Sequence, residues 1–139
     1  MNQTMHIRGF ISIQLSIFTF IIATAVIASL SAFVQAQASA RDQERFQDVK
    51  QVAAALKIYF NENGFYPSDN GLGMASDLGN YLDFWPNAPK PDGSCSKNQN
   101  TYSYVQILSG SDYQLNFCFG QTISGFSAGV HTASARGIQ

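Results

Sequence analysis

The sequence predicts an α+β protein: a long amino-terminal helix, apolar in its first half and amphipathic in its second, packed on a small antiparallel β-sheet head. Three observations predict it. No proline occurs before Pro67 and no glycine lies between Gly9 and Gly64, so helix breakers are missing from a long stretch of chain. Phe10 to Gln37 contains no Asp, Glu, Lys or Arg. Farther on, Tyr113, Leu115, Phe117 and Phe119 alternate with Gln114, Asn116 and Cys118, the period of a strand with one face buried.

Taken in order, residues 1–9 form a short polar leader carrying His6 and Arg8, residues 10–64 the helix, and residues 65–139 the head. Within the helix, residues 10–34 are apolar apart from Gln14 and scattered serines and threonines, whose hydroxyls can bond back to their own backbone. At about 1.5 Å per residue this run spans the ~30 Å hydrocarbon layer of a bilayer. Arg8 before it favours a cytoplasmic amino terminus and an exported remainder. Beyond it, Phe46, Val49, Ala53, Leu56 and Phe60 recur every three or four residues as one apolar stripe for the head, with Asp42, Glu44, Asp48, Lys50 and Lys57 largely away from it. Asn63 and Gly64 supply the stop.

The head opens with a loop rich in Gly, Pro, Asn and Asp, with one helical turn expected around Met74 to Leu82. "TYSYVQIL" and "YQLNFCFG" read as strands joined at Ser109 to Asp112, and a third strand is expected near Phe126 to Val130. A core this small is marginal unaided. Cys95 and Cys118, the only cysteines, are expected to form a disulfide, closing a loop of 22 intervening residues. The alternatives are two free thiols or half of a metal site, the latter without histidine partners at metal-binding spacing.

Little points to catalysis. Beyond the leader His131 is the only histidine, and no nucleophile–base, paired-carboxylate or phosphate-loop pattern occurs. Asp69, Asn70, Asp77 and Asn80 offer oxygens to calcium but not at EF-hand spacing, so no metal or other cofactor is expected. Lys90, Lys97 and Arg136 are too few to predict nucleic-acid binding at a net charge of −1. Phe84, Trp85, Tyr102 and Tyr104 are expected in the core.

The junction "RGF" before an unbroken helix, together with "ALKIYFNENGFYP", resembles the type IV pilin-like family, which includes type IV pilins and the pseudopilins of type II secretion. Ala55, Leu56, Tyr59, Asn63, Gly64, Tyr66 and Pro67 carry the second motif, and the likeness covers nearly the whole chain. The resemblance implies cleavage by a prepilin peptidase after Gly9, N-methylation of Phe10, and assembly with copies of itself and other pilin-like subunits. It also implies a single inner-membrane pass before assembly and a periplasmic or cell-surface filament after it. Such relatives usually carry a glutamate at the fifth mature position, where this chain has Gln14. That removes the carboxylate thought to meet the terminal amine of a neighbouring subunit. The alternative reading is a Sec-secreted or membrane-anchored binding or adhesive domain that does not polymerise, cut at the "AQA" of Ala36 to Ala38.

Overall fold

The structure, a computed structural model, describes residues 4–139, with side chains from residue 13 onward. Helix α1 runs Thr4–Asn63 and is long and apolar enough to cross a membrane. The chain divides into two compact units, one ending at Gln37 and the other Ala38–Gln139. The boundary falls inside α1, so the amphipathic part of the helix belongs to the head.

In the second unit α1 packs on a four-stranded antiparallel sheet of order β1-β2-β3-β4: Ser103–Ile107, Asp112–Phe119, Gly129–Ser134 and Gly137–Ile138. Tyr104 pairs with Leu115 and Leu115 with Ala133, so one buried row crosses three strands. Tyr113, Phe117 and Phe119 lie on the same face of β2 and are also buried, as the alternation predicts. On the opposite face Asp112 and Cys118 are also buried, the latter beside its bonded partner Cys95.

Turn chemistry sets the ends of these elements. Gly64, at φ 79°, donates its N–H to the Phe60 carbonyl and ends α1. Leu108, Ser109 and Gly110 all have positive φ in the β1–β2 connection, so the turn begins one residue earlier than expected. The third strand starts at Gly129 rather than Phe126, because Ile123 and Phe126 exchange two backbone hydrogen bonds across a tight turn at Ser124–Gly125. Two-residue β4 had no sequence counterpart. Around Met74 to Leu82 only the stretch from Leu78 to Leu82 makes a helical turn, while Asp69 and Ala75 form an isolated bridge.

The helix stripe is rotated from its sequence reading. Val49 and Leu56 are buried as expected, whereas Phe46, Ala53 and Phe60 are only partly covered. Ala38, Asp42, Arg45, Val52 and Ala55 complete the buried line. Asp42 therefore corrects the expectation that it faces outward. Polarity argued for solvent, but the head supplies every partner its carboxylate needs.

Candidate functional site

The first candidate is the apolar face of α1. Ile13, Leu15, Ile17, Phe18 and Phe20 are all exposed, as are the large apolar residues up to Val34. Four of its hydroxyls bond back to their own helix: Thr19 donates to the Ser16 carbonyl, Thr24 to Ile21, Ser29 to Ala25 and Ser31 to Ala28, all at 2.8–2.9 Å. Such a surface offers lipid, or another apolar helix, few unpaired donors. Gln14 stands exposed on this segment, and its amide has no hydrogen-bond partner among the described residues. Gly9 and Phe10, the expected processing positions, lie outside the residues whose side chains are described.

The second is a buried ionic clasp. Arg45 is 1% exposed and its guanidinium reaches four acceptors. Nη1 donates to Asp42 Oδ1 at 2.6 Å and Asp92 Oδ1 at 3.0 Å, Nη2 to the Lys90 carbonyl at 2.7 Å, and Nε to Asn100 Oδ1 at 3.2 Å. Asp42 in turn accepts the backbone N–H of Gly120 and Gln121, each at 2.8 Å. Arg41 closes the set on Asp92 Oδ2 at 2.6 Å. No buried side-chain nitrogen or oxygen among the described residues lacks a hydrogen-bond partner, the condition a buried charge requires. The cluster fastens the loop carrying Lys90, Asp92 and Asn100 to α1 and to the end of β2. Glycine makes the close approach beside it feasible: a Cβ on Gly93 would fall 2.1 Å from the Gly120 carbonyl oxygen, and one on Gly120 2.4 Å from Asp92 Oδ1.

Cys95 and Cys118 form the disulfide and stitch this loop to β2. Aromatic residues fill the rest of the core. Burial pushes the Tyr102 and Tyr104 phenols well up, and Asp48 accepts the Tyr102 hydroxyl at 2.7 Å. Burial also pushes Tyr113 up to about 12. Asp112, held by the N–H groups of Ala135 and Tyr113 and by Arg136, has its carboxyl lowered. Both His131 ring nitrogens lie at backbone carbonyls, Ser127 at 2.7 Å and Gln139 at 3.0 Å, with Phe117, Phe119 and Phe126 around the ring. That makes it a framework residue. Trp85 packs on the core that holds Tyr102 and Tyr104, but Phe84 is 73% exposed, contrary to the sequence reading.

The third candidate is a groove where α1 meets β3 and β4. Two adjoining hollows of about 350 and 400 Å³ share Ala53, Tyr113, Ser134 and Gly137. Phe46 and Phe60, expected to be core, line it instead, and Lys50 and Lys57 stand on its helix rim. Lys50 Nζ lies 4.9 Å from the Phe46 ring centroid.

Of the four loop residues considered for calcium, two serve their own turn: Asp69 Oδ1 accepts Gly71 N–H and Asn70 Oδ1 accepts Leu72 and Met74 N–H. No group of three His, Cys, Asp or Glu residues suited to a metal occurs among the described residues. The three basic residues weighed for nucleic acid are separated. Lys90 adjoins the clasp at the Phe119 end of β2, and Arg136 lies 3.7 Å from Asp112 at the other end. Sequence reasoning missed the clasp, whose only signal was Asp42 and Arg45 at helical spacing within an otherwise apolar stripe. No family model, curated protein or solved structure matches this chain.

Proposed function

We propose that this chain is a structural subunit of a type IV pilus or type II secretion pseudopilus. It waits in the inner membrane through residues 10–34, its amino terminus cytoplasmic. Cleavage by a prepilin peptidase after Gly9 and N-methylation of Phe10 prepare it for assembly through the apolar helix. The head, held by the clasp and the disulfide, becomes the outer surface.

One observation carries the reading. α1 continues without interruption from the apolar segment into the helix that the head covers, and Ala38 is already buried there. A Sec cut after Ala38 would fall inside this helix, at the point where head packing begins. The fit is with a segment retained in the mature protein. An exposed Gln14 amide within it is placed to seek a partner on a neighbouring helix, as a hydrogen-bonding group without the usual charge.

Intact-mass measurement of the mature protein tests this. A methylated chain beginning at Phe10 is the expected result, and Gly9→Ala should block processing. A mature start at Ser39 would overturn the proposal in favour of a secreted binding domain. Electron microscopy of cells with and without the gene product should show loss of a filament or a change in its number. If Gln14→Glu leaves assembly unchanged, the missing carboxylate does not limit it.

A further inference from the structure

The head carries two surface flanks of opposite charge, one bordering a groove of partly buried apolar residues and the other bearing exposed apolar side chains. On α1, Lys50 and Lys57 are seven residues apart and share one shoulder of the helix. They overhang the groove lined by Phe46, Phe60, Phe126 and Ile138. Glu44 and Glu62, eighteen residues or five turns apart, share the other shoulder. The loop on that side is anchored there by Tyr81, whose hydroxyl donates to Glu62, and by Tyr102 on Asp48. It exposes Asp77 and Asp83 beside Leu72, 79% exposed, and Phe84, 73% exposed. None of these four acidic residues forms a salt bridge within the described residues.

We infer that the occupant of the Lys50–Lys57 groove is the Leu72–Phe84 flank of a second copy of this chain. Charge complementarity carries the choice. A basic rim around an apolar hollow meets an acidic rim around protruding apolar side chains, and the same flank would be repelled by its own likeness. Because the two flanks are different surfaces on opposite shoulders of one helix, the contact is heterologous. Each docked copy leaves one free groove and one free flank, so the contact propagates as a chain and does not close a two-fold dimer. The inference rests on the polymerising reading and adds to it the head surfaces that meet. Of the other basic residues, Arg136 already faces a carboxylate, Asp112, at 3.7 Å.

Photocrosslinking of the full chain in the membranes of expressing cells tests the contact. A benzophenone amino acid replaces Leu72 in one variant and Ile17 in another. The Leu72 probe should yield multimers whose tryptic digest joins its peptide to residues 46–50 or 51–57 of another copy. K50E/K57E should lower that yield on the order of tenfold, the scale of a few exposed pairs turned repulsive. Adding D77K/D83K should restore it. Multimers from the Ile17 probe with none from Leu72, or a Leu72 yield indifferent to the charge reversals, would overturn the inference while leaving the polymerising reading standing. Leu72 multimers without Ile17 multimers would keep the head contact and overturn assembly through the helix. Silence from both probes would overturn both.

Discussion

Replacing Arg45 is the most informative perturbation of the head. Its guanidinium is 1% exposed and makes four hydrogen bonds, two of them to carboxylates. Removing one member of a buried pair costs about 3–5 kcal/mol, because the partner charge stays behind. Here the lower end applies to Arg45→Ala, about 3–4 kcal/mol. Asp42 keeps the two backbone N–H groups of Gly120 and Gln121, and Asp92 keeps Arg41 at the partly exposed rim. Arg45→Lys retains a charge for Asp42 but cannot serve the Lys90 carbonyl and Asn100 together, so about half the loss is expected. Arg45→Met separates the two contributions: it preserves the packing of the stem, and a loss close to that of alanine assigns the effect to charge and hydrogen bonding. Thermal unfolding of the full chain in detergent, disulfide intact, followed by near-ultraviolet circular dichroism, reads these differences. For a unit of about 100 residues, 3–4 kcal/mol lowers Tm by roughly 12–30 °C. Lys57→Ala on the exposed shoulder is the reference and should move stability by no more than about 0.5 kcal/mol. A loss below about 1 kcal/mol for Arg45→Ala would refute the reasoning, since it would mean that the cluster is hydrated and contributes little.

Two glycine variants should differ sharply under the same assay. Gly93→Ala places a methyl against the Gly120 carbonyl at a φ of 52° and should cost well over 2 kcal/mol, whereas Gly64→Ala, with open space at φ 79°, should cost about 1 kcal/mol. Loss of the disulfide in C95S/C118S should cost about 3 kcal/mol, the entropy of a loop this long, measured by urea unfolding. Alkaline pH should unfold the head: the raised phenols of Tyr102, Tyr104 and Tyr113 favour the native state fully below about pH 10, and that stability is lost as pH climbs toward their folded values. Phenolate absorbance in a pH titration should therefore show these three of the six tyrosines ionising only together with loss of structure. At the acid end, the lowered Asp112 contributes above about pH 4 and ceases to as pH falls, an effect that Asp112→Asn should remove from the acid limb of stability against pH.

What was legible in the sequence is what local pattern encodes. The uninterrupted helix, the glycine stop at Gly64, the alternating face of β2 and the bond between two lone cysteines each followed from spacing or composition. The third strand slipped by three residues because Phe126 looked like the start of a strand but closes a turn with Ile123. The stripe was misjudged for a related reason. Hydrophobicity placed Phe46 and Phe60 inward and Asp42 outward, yet the loop between Pro89 and Asn100 brings acceptors to Arg45 from more than forty residues away. No periodicity within a helix can report partners that distant. Phe84 was taken as core because it is aromatic, and only the folded loop shows that Trp85, its neighbour, is the one turned toward the core.

The clasp answers a need that the apolar contacts leave open. Val49, Val52, Ala55 and Leu56 are of similar character, so sliding α1 by one turn against the sheet would exchange one aliphatic contact for another at modest loss. Asp42 and Arg45 have no such freedom. Two backbone N–H groups at the end of β2 converge on one carboxylate, and four acceptors converge on one guanidinium, an arrangement satisfied in a single register. Register decides more than stability here. It fixes Lys50 and Lys57 beside the β3–β4 groove and Glu62 beside Tyr81, and so determines which charge each flank of the head presents. In the flank-to-flank contact proposed above, a one-turn slip would misalign every repeat. A buried ionic pair that adds little to stability over a well-packed apolar one would still serve a polymerising protein by permitting only one register.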